Sequence, residues 1–319
     1  MNKIRMDENQ EGEYDVVSHQ GGDLPQALRN QTLKGKYLIG EKLNEGSYGS
    51  IFDVRDIAEG GQASGKYVLK ISQDSGDMAQ EIRILKKIQL VHKAEDTPYP
   101  NSKIPYLLDY GVLILKNVST AESTPCFYYI MPKYSMSLEE ILNTYRRVLT
   151  PDVILEIMIQ LIEALELVHS AGYTHNDLKP SNFMVDHVSN LIAGEGFKIS
   201  LIDFGFARKF KHTTTGQHLP QRDLDTFNGN IIYSSLDQMN FLSTSRKDDM
   251  VSLTYNMFYL LNKLELPLNS TFDCNVTSDQ VITQFKEVHR YKKKISLVTM
   301  ARNLTKMKLN EAQGQNEEK

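Results

Sequence analysis

No stretch of this 319-residue chain approaches the roughly 20 consecutive apolar residues that a membrane-crossing helix needs, so no span is expected. Charge of one sign is missing too. The 36 lysines and arginines stand against 40 aspartates and glutamates, and the formal net charge of -4 gives no global attraction to nucleic acid or anionic membrane. Cysteine is scarce: Cys126 and Cys274 lie far apart and outside any metal-ligand spacing, which suits a reducing compartment, the cytoplasm with the nucleus also open. The polar, mixed-charge start, Met1 to Glu13, has the form of neither a signal nor a transit peptide. No repeat or low-complexity array occurs. What is present is an ordinary globular composition, long enough for one large domain or two lobes sharing a cleft.

Residues 1–36 are rich in Asn, Gln, Gly, Asp and Glu, and are expected to form a mobile arm because they bury too little surface to offset ordering. From Tyr37 the texture changes to short apolar runs. Tyr37–Leu43, Ser50–Arg55 and Lys66–Ile71 predict three strands, with a glycine-containing turn over 59–65. Asp77–Leu90 carries Met78, Ile82, Leu85 and Ile88 at helical spacing. Two more strands are expected around Leu107–Leu115 and Phe127–Met131. Past Met131 the pattern turns helical. Ser137 to Glu140 has capping-box spacing, and Thr150-Pro151-Asp152 sets a cap and a first-turn proline ahead of a stripe from Val153 to Val168. Phe183–Val185 and Lys198–Ile202 read as short strands, and Asp249–Leu261 as a buried helix. The predicted class is α+β: a small β-rich lobe with one helix, then a larger helical lobe.

The segment His175-Asn176-Asp177-Leu178-Lys179-Pro180-Ser181-Asn182, followed by Asp203-Phe204-Gly205, resembles the catalytic loop and metal-binding turn of protein kinases. A D-x-x-x-x-N spacing alone is common in surface loops; the D-F-G after a strand, in order, sets this one apart. The resemblance implies that Asp177 accepts the hydroxyl proton and Lys179 meets the γ-phosphate oxygens of ATP. Asn182 and Asp203 would supply the hard oxygen ligands that Mg2+ prefers. Upstream, Leu43-Asn44-Glu45-Gly46-Ser47-Tyr48-Gly49-Ser50-Ile51 resembles the glycine-rich loop over the phosphates, with Asn44, which tolerates positive φ, at the first glycine. A plain hairpin turn fits that motif equally well. Its position before Val68-Leu69-Lys70 favours the loop. Lys70 would hold the α and β phosphates, and Glu81 would hold Lys70. Leu43, Ile51, Val68, Met131 and Met184 would line the adenine pocket, with Pro132 and Tyr134 offering backbone groups. Pro132 has no N–H to offer.

The run from Asp203 to Phe210, then His218-Leu219-Pro220, Phe227-Asn228-Gly229, Ser234-Ser235-Leu236 and Ser245 to Asp249, is similar to the casein kinase 1 branch, with its vaccinia-related and tau-tubulin kinase relatives. The likeness covers about Tyr37 to Pro267 and implies a kinase domain over 37–308 (lobes near 37–131 and 135–308), with a polar tail over 309–319. It also implies a buried anchoring role for Asp249. Four departures stand out. Asn176 replaces the arginine that usually binds a phosphorylated activation segment, which implies activity without that switch. Asp225 and Ile232 occupy positions where that branch has cations for acidic or pre-phosphorylated substrates. Asn230 replaces a threonine that ordinarily bonds the catalytic aspartate and lysine. The chain after Asp249 is short, and its basic stretch from Arg290 to Lys308 is expected to be a solvated amphipathic helix, a nuclear-entry or anion-binding patch being the sharper alternative.

The expectation is an ATP- and Mg2+-dependent serine/threonine protein kinase acting on protein substrates as a monomer, without nucleic-acid or membrane partners. A kinase-like scaffold of little activity and a small-molecule kinase are the alternatives. Lys70, Glu81, Asp177, Lys179, Asn182 and Asp203 are all present, which favours activity.

Overall fold

The computed structural model describes residues 3–7, 10–19, 27–46, 49–57, 66–94, 103–145, 149–262, 266 and 278–303. The chain divides into two compact units, Met1–Tyr134 and Ser135–Lys319.

The first unit is built on one sheet in the order β1-β2-β7-β8-β6-β5-β4-β3. Its strands are β1 (Lys3–Asp7), β2 (Gln10–His19), β3 (Thr32–Leu33), β4 (Tyr37–Gly46), β5 (Gly49–Asp56), β6 (Tyr67–Ser72), β7 (Asp109–Asn117) and β8 (Ser123–Pro132). Helix α1 (Ser75–Ala94) begins two residues before the Asp77 start expected from spacing, and Met78, Ile82, Leu85 and Ile88 are all buried. Alternation along β5 sends Phe52 and Val54 into a core with Leu69, Ile71, Leu113 and Ile130, as period-two patterning requires.

The segment read as a mobile arm carries β1 and β2, and β2 pairs in parallel with β7, from Tyr14 opposite Val112 to His19 opposite Asn117. Composition argued against order, but a backbone ladder needs few apolar side chains. Val17 is buried, and the Asp15 carboxylate accepts the Lys34 N–H at 3.1 and 3.2 Å.

The second unit is mainly helical. Strand β9 (Met136–Ser137) leads into α2 (Leu138–Tyr145), where the Ser137 N–H donates to Glu140 Oε2 at 2.7 Å and the Glu140 N–H to Ser137 Oγ at 3.2 Å. Helix α3 (Pro151–Ser170) is capped by Thr150 Oγ1, which accepts the Val153 N–H, and Pro151 sits in the first turn, where its missing N–H costs nothing. Gly172 (φ 93°) then turns the chain into β10 (Tyr173–Thr174). A three-stranded sheet, β12 (Ile199–Leu201)–β11 (Phe183–Val185)–β9, and the pair β10–β13 (Arg208–Lys209) frame the loops between them. Helix α4 (Val188–Ala193) lies between β11 and β12; α5 (Leu236–Met239), α6 (Arg246–Leu261) and α7 (Ser278–Lys294) follow.

Helix α7 corrects the reading of the basic stretch. Gln284, Val288 and Lys292 fall four residues apart on one buried stripe, while Lys293 and Lys294 are exposed. The Lys292 ammonium, in a residue 2% exposed, donates to the carbonyls of Ser234 (2.6 Å) and Ile231 (3.2 Å), and sits 4.4 Å from the Tyr255 ring centroid. Burial holds its pKa well below the ordinary lysine value. The single helix expected over 290–308 is broken: α7 ends at Lys294, the chain leaves helix at Ile295 and Ser296 and resumes it over 297–303, and Lys292 is not solvated. Residues 304–308 lie outside the described residues.

Candidate active site

In the first unit, register assembles one group of predicted residues. Ile51 is opposite Lys70 and Val68 is opposite Met131, and Val68 and Lys70 are two apart on β6, so all four share one face of the sheet. Val68, Lys70 and Met131 are buried, Ile51 and Tyr134 half-buried, and Leu43 exposed. Glu81 of α1 reaches this face: Lys70 Nζ lies 2.8 Å from Glu81 Oε2, and Tyr129, opposite Lys70, donates its hydroxyl to Glu81 Oε1 at 3.1 Å. Both charged groups are nearly out of water, and their pairing offsets part of the cost of burying them.

The β4–β5 hairpin carries Asn44 opposite Ile51 and Gly46 opposite Gly49. Asn44 does not take the left-handed conformation that its residue type allows. It remains in the strand, and its Oδ1 accepts the N–H of Glu45 at 2.7 Å. The positive φ falls on Gly49 (129°), where an added Cβ would collide with the Ile71 carbonyl. Ser47 lies outside the described residues.

In the second unit the loop between β10 and β11 is held from below by Asp249 on α6. Its fully buried carboxylate accepts the N–H of His175 (Oδ2, 2.9 Å) and of Asn176 (Oδ1, 2.9 Å), and Oδ2 also meets His169 Nε2 at 2.8 Å. This is the anchoring implied by the sequence likeness. His175 ties the loop sideways. The Asp177 N–H donates to its Nδ1 at 3.2 Å, which leaves Nε2–H to donate to the Ile202 carbonyl at 3.0 Å.

Asp177 is 1% exposed. Its Oδ2 lies 2.7 Å from Lys179 Nζ and accepts from Asn182 Nδ2 at 3.1 Å, while Oδ1 has no hydrogen-bond partner among the described residues. Asn182 Nδ2 also donates to the Asp177 carbonyl at 2.8 Å, so its amide oxygen is turned to the other side. The Ile202 N–H donates to the Asn182 carbonyl at 3.0 Å, continuing the β11–β12 register of Phe183 opposite Leu201. Asn182 and Asp203 are thereby carried to the same end of one hairpin, and Asp203 leaves it with φ 67°. Half-buried Met184 sits within β11.

Asn230 does not take over the threonine's task. Its Oδ1 accepts the backbone N–H of Ile232 (2.8 Å) and of Tyr233 (3.4 Å), closing an Asx-type turn. Two residues that no motif announced, Gln238 and Thr244, hold Asn176 from elsewhere in the chain. They lie 62 and 68 residues from it, beyond the reach of any local pattern.

A β-rich unit with one long helix, then a helical unit whose anchored loop feeds a hairpin ending in an acid, is the α+β, two-lobed architecture of kinases. The chain belongs to the protein kinase family: the family model for the protein kinase domain matches residues 108–313, well over half of the chain. Membership implies phosphoryl transfer from ATP to protein substrates. The matched stretch starts at Leu108, so Lys70, Glu81 and the glycine hairpin rest on the geometry given above. No helix among the described residues is long and apolar enough to cross a membrane.

Proposed function

We propose that the chain is a serine/threonine protein kinase of the casein kinase 1 branch, using ATP with magnesium and needing no phosphate on its activation segment. Asp177 carries this reading. Among the described residues its buried Oδ1 has no hydrogen-bond partner, and a substrate hydroxyl admitted to it supplies the missing bond. Asp177 then aims the hydroxyl oxygen and accepts its proton as the bond to phosphorus forms. Lys179, within reach of Asp177, meets the γ-phosphoryl oxygens as their charge shifts.

The Asn182 amide oxygen and the Asp203 carboxylate are hard donors that suit magnesium, which when bound neutralises phosphate charge. Lys70, ion-paired with Glu81, receives the α and β phosphates. In the first unit, Leu43, Ile51, Val68 and Met131 receive adenine, and the backbone at Pro132 and Tyr134 fixes its edge.

The casein kinase 1 assignment is supported by how the serine motif is used. Ser235 caps α5 and donates to buried Asp248 Oδ1 at 2.7 Å, a link that an A-P-E sequence would not make. Lys209 and Arg222 line a cavity of about 720 Å³ beside the segment after Asp203, where Arg208 is held by the Gly205 and Ala207 carbonyls and Lys247 is paired with Asp237; the two remaining cations favour acidic sequence around the target hydroxyl.

The test is transfer of labelled phosphate from ATP to casein and to a peptide array holding acidic and neutral serine, threonine and tyrosine targets. Asp177→Asn should lower the rate by roughly 10²–10⁴-fold while leaving the melting temperature undiminished. Full activity in that variant removes Asp177 from its role. A parent chain that labels nothing on the array is a scaffold instead.

A further inference from the structure

The geometry points to Asn176 as a positioning residue for Asp203: its uncharged carboxamide locks the turn after Asp203 in the place where an arginine would need a phosphate to do so. The inference rests on the kinase reading for its purpose, but not for its geometry.

Every polar group of Asn176 is engaged. Its N–H is held by Asp249, and its carbonyl accepts Gln238 Nε2–H at 2.7 Å. In the side chain, Nδ2 donates to the Phe206 carbonyl at 2.9 Å, and Oδ1 accepts the Thr244 hydroxyl at 2.7 Å. Phe206 belongs to the tight turn that starts at Asp203. The Ala207 N–H donates to the Phe204 carbonyl at 3.0 Å, and the Gly205 N–H approaches Asp203 Oδ1 at 3.5 Å. A second bond runs alongside, from Thr174 Oγ1 to the Arg208 carbonyl at 3.2 Å. Arg208 is already committed: its guanidinium donates to the Gly205 (3.3 Å) and Ala207 (3.0 Å) carbonyls of the same turn.

Backbone shape singles out the residue type. Asn176 has φ 70°, a left-handed conformation that asparagine tolerates far better than arginine or leucine. A short amide therefore serves both the strained backbone and the bond to Phe206. The bonds are neutral and internal, so the aim of Asp203 does not depend on a charge added later.

Two variants separate positioning from bulk stability. Asn176→Gly keeps the left-handed backbone and deletes the carboxamide; Thr244→Val keeps shape and removes the hydroxyl that orients Oδ1. For each, ADP affinity is measured with and without magnesium, together with hydrogen exchange at amides 204–208 and the rate after phosphatase treatment. The expected result for Asn176→Gly is a roughly 10- to 100-fold weaker magnesium-dependent part of ADP binding, unchanged metal-free binding and faster exchange at 204–208. Thr244→Val should move the same readouts in the same direction, by less. The parent chain should keep its full rate after phosphatase. Unaltered magnesium dependence and exchange in Asn176→Gly overturn the inference, as does a parent rate abolished by phosphatase. Binding and exchange need no phosphoryl transfer, so a chain that transfers nothing still tests the clasp while failing the kinase reading.

Discussion

Replacing Lys292 by methionine tests how the second unit holds the segment from Ile231 to Ser234. Methionine keeps most of the stem's length and deletes the three donors. The ammonium now makes two carbonyl hydrogen bonds and one ring contact. Hydrogen bonds to a charged group are worth about 1.5–3 kcal/mol each, and a desolvated cation–π contact about 2 kcal/mol. Removing an ammonium from water costs several kcal/mol in the other direction. What remains is the penalty for leaving the Ile231 and Ser234 carbonyls unpaired, so Lys292→Met should lose about 2–4 kcal/mol at neutral pH.

The sign of the pH dependence is fixed by the depressed pKa. As pH falls through the ordinary lysine value of 10.5, the unfolded chain takes up a proton that the folded chain does not yet bind, so stability is lost. The loss continues until the lowered folded pKa is passed, and then stops. Lys292→Met lacks this slope. The assay is urea unfolding of both proteins, followed by helical circular dichroism between about pH 7 and 11. The stability gap should be widest near the alkaline end and shrink as pH falls. A gap that grows as pH falls, or that does not change, would refute a desolvated Lys292.

Three further outcomes are expected. Glu81→Ala strands the Lys70 ammonium and the Tyr129 hydroxyl in a buried place and should cost about 3–5 kcal/mol, read by denaturant unfolding. Asp249→Asn sets an amide N–H₂ against backbone donors; a loss of about 3 kcal/mol is expected, with faster hydrogen exchange at residues 175 and 176. Gly229→Ala places a methyl group against Gln238 and 2.5 Å from the Asn176 carbonyl at a φ of 126°, so it should cost about 1–3 kcal/mol and loosen the Gln238–Asn176 bond.

Features written in short-range chemistry were readable from the chain. Thr150 and Pro151 announced the start of α3, Ser137 and Glu140 that of α2, and the apolar spacing from Met78 to Ile88 the face of α1. The loop around Asp177 was readable because its residues lie within eight positions of one another, and Asp249 because the family likeness pointed to it. What escaped depends on closure of distant segments. Lys292 sat in a run of three lysines that reads as solvated; only its phase with Gln284 and Val288 hints otherwise. Gln238 and Thr244 look like loop or cap residues until the fold brings Asn176 to them. Strand β2 escaped because a ladder of main-chain bonds leaves little trace in composition.

That ladder has a consequence for handling the protein. Residues 112–117 of β7 find their outer partners in residues 14–19. A chain trimmed to start at Tyr37 would bare this border, with apolar Leu113 and Leu115 along it, and an unsatisfied border of that length recruits strands from other molecules. Trimmed preparations should therefore self-associate more readily than the full chain.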